Sequence, residues 1–327
     1  MHKQRTRKGR FLPLAAVVLV LVMIYSGLRV LESTVFYPEQ PQTAVPKKTI
    51  VRDGMEYFPR QDITTILVMG IDEEGPVASS NSYRNSGEVD MAALVVLDQT
   101  AQNYRILCLN RDIMLDMPVL GLGGRQAGTF YGQLALSHTY GSGLEDSAEN
   151  TKEAVSDFLC GIPIDHYAAM NMDAISILND AVGGVTVTVL DDFSAVDATI
   201  PFGTVTLNGA QAMSYVRSRM NVGTQLNLSR MERHREYMEG LAEALTERVK
   251  QSDTFVAEAY EQMADYMVTD CSVNAVSGLM QRCSGYTLAE IVSLEGQNKL
   301  GQEYYEFYPD EEALDDLILR LFYAVKE

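Results

Sequence analysis

Three long apolar runs stand close together in the first half of the chain, at residues 62–72, 91–98 and 104–112. Each is rich in Val, Ile and Leu and lacks the polar and apolar alternation of a strand with one wet face. We therefore predict three strands that are buried on both faces. Only residues 99–103 separate the second run from the third, which predicts a hairpin.

The rest of the chain alternates between helical periodicity and further short apolar runs. Asp173 and Asn208 are the expected N-caps of two helices, and Gly183-Gly184 should end the first of them. The predicted helices cover 149–159, 173–182, 208–216, 229–250, 252–267 and 310–325, and the predicted strands cover 185–190, 288–294 and 304–309. Interleaved strands and helices predict an α/β fold, a central mixed β-sheet flanked by helices.

The N-terminus predicts a membrane anchor. Residues 11–28 are uncharged and mostly apolar, and at ~1.5 Å per residue a helix of this length reaches across a bilayer core. Residues 1–10 carry five basic and no acidic residues, so they should form a cytoplasmic tail. Residues 29–60, with several prolines, should be a linker, and residues 61–327 a single extracellular domain. A cleaved signal peptide is the alternative, disfavoured by the lack of a small-x-small cleavage site.

Charge and cysteine content narrow the functional classes. Because residues 1–10 hold five of the 26 basic residues, the rest carries 21 basic against 44 acidic residues, a net charge of −23. Such a surface argues against binding nucleic acid. The four histidines are scattered and no Cys/His spacing of a zinc site occurs. Buried free thiols are favoured over disulfides for the four cysteines. Cys271–Cys283 is the one pair for which a disulfide remains an alternative.

Arginines are concentrated in one segment of this acidic chain. Arg217 and Arg219 lie two residues apart after a predicted helix, and Arg230 and Arg233 lie three apart on the next one, with Arg235 following. Paired guanidinium groups bind multiply charged anions such as pyrophosphate bidentately. The alternative is a solvated helix face on which they pair with neighbouring glutamates.

Carboxylates stand at the ends of the predicted strands. Asp72 closes the first strand, Asp90 precedes the second, and Arg111-Asp112 closes the third. If the first two strands run antiparallel, Asp72 and Asp90 converge on one edge of the sheet, where two carboxylates suit Mg²⁺ beside a diphosphate. Taken singly, an aspartate at a strand end is more often a turn or cap residue.

These motifs carry a family resemblance over roughly residues 62–250. The ordered set ILVMGID, VDMAALVVLD, ILCLNRDIMLDMP, ALSHTYGSG, GIPIDHYAAMNMDAISILNDAVGGVTVTV, TLNGAQAMSYVRSR and SRMERHREYM resembles the extracellular domain of the LytR-CpsA-Psr family. The resemblance implies a phosphotransferase that moves a glycopolymer from a polyprenyl-pyrophosphate carrier onto peptidoglycan during cell-wall biogenesis. The lipid tail would lie in an apolar pocket between sheet and helices, and a pyrophosphatase side activity would use the same groups.

The resemblance also assigns roles to individual residues. It implies a catalytic set of Asp90, Arg111 and Asp112, an Mg²⁺ site of Asp72 and Asp90, and a pyrophosphate-binding set of Arg111, Arg217, Arg219, Arg230, Arg233 and His234. The acceptor would be a muropeptide sugar hydroxyl, and either Asp90 or Asp112 would take its proton.

Several positions depart from the family pattern. The chain has Glu88-Val89-Asp90-Met91 where the family usually has Arg-Ser-Asp-Thr, and Gln133, Asn227 and His234 replace a common lysine, aspartate and glutamine. The anion-binding side of the site is therefore better kept than the metal side. These changes motivate the rival hypothesis of a non-catalytic sensor or scaffold that binds a polyprenyl phosphate without turning it over.

Overall fold

The computed structural model describes residues 49–325, apart from 122–124, 219–221, 223–225, 253, 272–281, 284 and 303. The predicted transmembrane segment at 11–28 lies outside these residues. No helix within the described part has the length and apolar character to cross a membrane.

Strands and helices alternate along the described chain. Their bounds, in chain order, are β1 Ile50–Arg52, β2 Met55–Pro59, β3 Ile63–Ile71, β4 Val89–Asp98, β5 Asn103–Leu109, β6 Met114–Leu120, β7 Gln126–Gln133, α1 Glu145–Phe158, β8 His166–Asn171, α2 Asp173–Ala181, β9 Val185–Val189, β10 Gly203–Leu207, α3 Gly209–Arg217, α4 Leu226–Gln251, α5 Phe255–Met263, β11 Met267–Thr269, β12 Thr287–Ser293, β13 Gly296–Leu300, β14 Tyr305–Pro309, α6 Glu311–Phe322 and β15 Tyr323–Val325.

A mixed sheet forms the centre of the fold. Its order among the described strands is β11-β8-β3-β4-β5-β12. Strand β4 runs antiparallel to both β3 and β5, while β8 pairs with β3 and β12 with β5 in parallel. The predicted α/β class, the mixed sheet and the hairpin between the second and third apolar runs are confirmed.

Helices cover both faces of this sheet, as the unbroken apolar runs predicted. Leu67 and Met69 of β3 point into one core with α1, α6 and β6, whereas Ile66 and Val68 point into the other with α2 to α5. All four are at most 3% exposed. Burying one such side chain contributes about 1.5–3 kcal/mol, so neither face of β3 could be left to water.

Local signals fixed several helix ends. Asn208 caps α3, since its side chain accepts from the backbone N–H of Gln211 at 3.0 Å, while the Gln211 side chain accepts from the Asn208 N–H at 3.0 Å. Gly184 follows α2 at a φ of +98°, where a Cβ would lie 2.7 Å from a Thr206 methyl. The prediction for Asp173 is wrong. Met172 is the N-cap of α2, and the Asp173 carboxylate accepts from the Gly75 N–H at 2.6 Å.

Other predicted boundaries need correction. Residues 50–59, expected to belong to the linker, form β1 and β2, and β2 also pairs with the C-terminal strand β15. The hairpin of β6 and β7 was not predicted, because most of β7 is exposed and carries no core-facing periodicity. Helices α1 and α4 begin earlier than expected, at Glu145 and Leu226.

Candidate active site

One edge of the central sheet gathers the predicted site residues. Strands β3, β5 and β8 end there and β4 begins there, because Ile71 is paired with both Val89 and Asn171. The Asp72 N–H donates to the Glu88 carbonyl at 2.9 Å, just beyond the last pair of the ladder. The prediction that Asp72 and Asp90 converge on one edge is therefore confirmed.

A β-bulge determines where Asp90 points. Gly70 pairs with Met91 and Ile71 pairs with Val89, which leaves Asp90 as an extra residue in β4. Val89 consequently belongs to the core beside α1, while Met91 packs against the opposite core. Bulges re-aim side chains in this way. Asp90 lines two neighbouring cavities on the α3 and α4 side of the sheet and is 9% exposed.

Arg111 bridges two carboxylates at this edge. Its Nη1 donates to Asp90 Oδ1, and its Nη2 lies 2.5 Å from Glu88 Oε2. Burial acts to lower the pKa of Arg111, but the attraction of Asp90 and Glu88 and the hydrogen bonds that Arg111 donates to them outweigh burial and raise the pKa. The guanidinium group is therefore held fully charged and in a fixed position.

Arg217 repeats the arrangement from the other side of the cleft. It is the last residue of α3; its Nη1 donates to Glu74, and its Nη2 lies 3.4 Å from Asp72 Oδ1. The hydrogen bond that Arg217 donates to Glu74 is the main cause of its raised pKa, and attraction from Asp72, Glu74 and Asp90 adds to it. Its side chain is 46% exposed, so solvent can reach this guanidinium group.

An apolar cavity extends from these groups along the sheet. Its floor is formed by β3, β4, β5 and β8, and its roof by α2 and α4. The lining is apolar except where Asp90, Asn171, Arg217 and His234 meet at one end. The other lining residues are Val68, Gly70, Met91, Ala93, Val95, Ile106, Met170, Met172, Ala174, Ile175, Leu178, Val216, Tyr237, Met238 and Leu241. A long apolar ligand with an anionic head matches this distribution.

A second cavity adjoins the first and shares Asp90 and His234 with it. Arg111, Glu232 and Arg235 add charged groups to its lining, and Cys108 and Ile291 add apolar ones. The two cavities therefore meet at Asp90. This geometry places one carboxylate on the wall of both cavities.

A known protein family matches most of this chain. A model of the LytR_cpsA_psr family matches residues 34–321. The chain belongs to the LytR-CpsA-Psr family.

Several curated relatives carry the name polyisoprenyl-teichoic acid–peptidoglycan teichoic acid transferase TagU, among them proteins from Enterococcus faecalis and Halalkalibacterium halodurans. The one from Enterococcus faecalis is 29% identical over 64% of this chain, which spans 61% of the relative's length. The one from Halalkalibacterium halodurans is 25% identical over 81% of this chain and 80% of its own.

Solved structures share the fold. A protein from Streptococcus agalactiae aligns with a TM-score of 0.64 at 23% identity, over 80% of this chain and 86% of its own. The structure of TagT bound to LI-WTA aligns with a TM-score of 0.57 at 21% identity, over 80% of this chain and 90% of its own.

Arg233 is placed differently from the family-based expectation. It is 4% exposed and lines neither cavity. Its Nε donates to the Tyr215 carbonyl at 3.1 Å, its Nη1 to Asp191 Oδ2 at 2.6 Å, and its Nη2 to the Ser218 carbonyl. The prediction that Arg233 binds pyrophosphate is therefore corrected. The residue fastens α4 to the end of α3.

The remaining predicted residues divide into three groups. His234 lies at the meeting point of the two cavities, where its Nε2 is 2.9 Å from the Val216 carbonyl. Asp112 lines neither cavity and accepts from Gln133 at 3.2 Å. Arg219 and the side chain of Arg230 lie outside the described residues.

The donor set of Asp72 and Asp90 fits a hard cation that keeps water and phosphate ligands. Magnesium typically takes one or two protein carboxylates and completes its shell with such oxygens. Both carboxylates lie at the same rim, each against an arginine. Within the described ranges, three possible metal ligands also lie together at the opposite end of β8, namely His166, Asp270 and Cys271. Their donor atoms lie within 4.8 Å of one another.

Sequence reasoning missed several residues of the site. Glu74 and Glu88 are the partners of the two rim arginines, and Asn171 lines the apolar cavity. Glu88 stands out in the sequence as an acidic residue where the family usually has an arginine, and this departure was the available signal. All four cysteines are unpaired, including Cys271 and Cys283, which are both buried.

Proposed function

We propose that this protein transfers a glycopolymer from a polyprenyl-pyrophosphate carrier onto peptidoglycan. The observation that carries the proposal is the apolar cavity whose one polar end joins Asp90, Arg217 and His234. An apolar tail gains by burial along the cavity, while a diphosphate needs cationic donors. The names of the TagU relatives, which mention a polyisoprenyl-linked teichoic acid and peptidoglycan, agree with this substrate class.

The reaction is an attack by an acceptor sugar hydroxyl on the phosphorus that carries the glycopolymer. The hydroxyl oxygen bonds to that phosphorus, the bond to the bridging oxygen breaks, and the lipid leaves as a monophosphate. Arg111 and Arg217 would stabilise negative charge on the phosphoryl oxygens. Arg219, Arg230 and His234 are proposed as further contacts to the diphosphate, and water in place of the sugar hydroxyl would give a pyrophosphatase side reaction.

Asp90 is the proposed proton acceptor, in preference to Asp112. Asp90 lines both cavities, so it can face the donor in the first and the acceptor in the second. A general base must come within hydrogen-bond reach of the attacking hydroxyl. Asp112 lines neither cavity and is engaged with Gln133. Mg²⁺ held by Asp72 and Asp90 would offset charge on the diphosphate.

The experiment uses full-length protein in detergent micelles with a radiolabelled polyprenyl-pyrophosphate saccharide and purified peptidoglycan. Covalent label on the peptidoglycan is the expected result, strongly reduced in Asp90→Asn. Arg52→Ala is the matched control, because Arg52 is also ion-paired, to Asp316, but lines neither cavity. No labelled peptidoglycan with wild-type protein and a competent donor would refute the transferase.

The proposed location is the outer face of the cell membrane, with residues 11–28 as the anchor and residues 1–10 in the cytoplasm. The basic flank and the uncharged apolar stretch support it. Protease added to intact protoplasts should remove the domain and leave an epitope on residues 1–10 protected. A protected domain would contradict this topology.

A sensor or scaffold that binds the lipid without turnover is the second candidate. Glu88, which pairs with Arg111, stands at a position where the family usually has an arginine, and this difference favours the sensor. Mass spectrometry of the lipid after incubation with the protein and Mg²⁺ separates the two. Monophosphate product favours the enzyme, and intact bound diphosphate favours the sensor.

A further inference from the structure

Arg111 and Arg217, the two arginines at the rim of the candidate site, are each ion-paired with a glutamate from the connection between β3 and β4. Glu88 contacts Arg111 at 2.5 Å, and Glu74 contacts Arg217. In both cases the second terminal nitrogen of the guanidinium group contacts an aspartate that belongs to the proposed metal site. The fork that would hold two phosphate oxygens is thus already shared between two carboxylates of the chain.

The glutamates are the partners that can leave. At each arginine the glutamate side chain is more exposed than the aspartate side chain, with 68% for Glu74 against 40% for Asp72 and 41% for Glu88 against 8% for Asp90. A long side chain at the surface can turn into water with little loss, because exposed ion pairs are weak. A buried carboxylate cannot leave its arginine as readily, since it would lose its compensating charge.

Charge makes this exchange necessary. Five carboxylates lie within ion-pair distance of the two guanidinium groups, an excess of three negative charges: Glu74 and Asp72 at Arg217, and Glu88, Asp90 and Asp112 at Arg111. A diphosphate entering beside all five would meet net repulsion. When the two glutamates turn away and a divalent cation joins the aspartates, the arginines become available to the phosphates.

We propose that Glu74 and Glu88 compete with the donor diphosphate for Arg217 and Arg111. The diphosphate must displace both glutamates before it can bind the two arginines. They hold the arginines in place in the empty site and weaken binding of soluble phosphates that lack a lipid tail. A lipid-linked donor overcomes them because tail burial adds to its affinity. This inference rests on the proposed function, since it takes the ligand to be a diphosphate.

The test measures binding of inorganic pyrophosphate and of farnesyl diphosphate to full-length protein in micelles, each with Mg²⁺ and with EDTA. Glu74→Gln and Glu88→Gln keep the side-chain size and remove the charge. Each should tighten pyrophosphate binding about two- to fivefold in EDTA, and the double variant about tenfold. With Mg²⁺ the gain should be smaller.

Glu232→Gln is the matched control, because Glu232 lines the second cavity and the variant removes the same charge there. An equal gain in pyrophosphate affinity in this control would show that the effect is general electrostatics. It would overturn the proposed displacement of the glutamates. Unchanged pyrophosphate affinity in the double variant, or loss of Mg²⁺-assisted binding in Glu88→Gln, would also overturn it. If wild type and variants all fail to bind farnesyl diphosphate with Mg²⁺, the proposed function itself fails.

Discussion

Arg217 and Arg233 lie sixteen positions apart in an arginine-rich segment, yet the fold uses them in opposite ways. Arg217 ends α3 with a side chain that is 46% exposed and faces the cleft. Arg233 lies on α4, and its side chain is 5% exposed. It donates hydrogen bonds to two backbone carbonyls and forms an ion pair with Asp191. A cluster of one residue type is therefore not one site. Arg233 lies within reach of the backbone carbonyls at the end of α3 and donates hydrogen bonds to them.

The largest expected effect is on folding, at the buried member of the pair. Arg233→Met should destabilise the protein by about 3–5 kcal/mol, because it leaves Asp191 unpaired and the carbonyls of Tyr215 and Ser218 without donors. Thermal unfolding followed by circular dichroism measures the loss. Adding Asp191→Asn should recover part of it, since no lone charge then remains. Normal stability with weakened diphosphate binding would make Arg233 an anion contact after all.

Arg217→Ala should show the reverse pattern. A charge-assisted hydrogen bond is worth roughly 1.5–3 kcal/mol, so diphosphate affinity should fall more than tenfold while the melting temperature barely changes. Arg217→Lys should rescue affinity only in part, because lysine lacks the planar fork. Titration with farnesyl diphosphate measures this, with Arg52→Ala as control. A lowered melting temperature and unchanged affinity would assign Arg217 a structural role.

The carboxylates of the candidate metal site, Asp72 and Asp90, should also differ from Asp191, the partner of Arg233. Mg²⁺ should tighten diphosphate binding about tenfold through Asp72 and Asp90, because a cation offsets their repulsion of the phosphates. Asp90→Asn should remove most of this dependence, whereas Asp191→Asn should leave it intact. The measurement is the ratio of affinities in Mg²⁺ and in EDTA. Equal affinities in wild-type protein would exclude the metal site.

The smallest effect concerns the start of the helix that presents Arg217. Asn208→Ala removes one half of the capping box of α3 and should cost about 1 kcal/mol in the free energy of unfolding. Diphosphate affinity should stay near wild type, because Arg233 still fixes the other end of α3. An affinity loss as large as that of Arg217→Ala would show that the cap, too, positions the guanidinium group.

Much of the fold followed from local signals. Continuous apolar runs identified β3, β4 and β5 because strands buried on both faces have no polar positions, and the Asn208 cap and Gly183-Gly184 stop acted through neighbouring backbone groups. The hairpin of β6 and β7 was missed because β7 is mostly exposed and shows little apolar periodicity, although β6 places Leu115 and Met117 in the core. The start of the fold was misplaced because β2 depends on pairing with β15 at the far end of the chain.

The sequence by itself determined the residue types of the site and the edge where they meet. The GID and VDMAALVVLD motifs set Asp72 and Asp90 on antiparallel strands, and strand direction alone makes their ends converge. The family membership of the chain also resides in these motifs.

Only the tertiary structure decided the partners. Glu74 and Arg217 lie 143 positions apart, and His166 and Asp270 are brought together by pairing of β8 with β11. Contacts between such distant segments depend on how helices pack on the sheet, which no local pattern encodes. For the same reason, packing of α4 against α3 separated Arg233, which the fold buries, from Arg217, whose side chain it leaves 46% exposed beside Glu74 and Asp72.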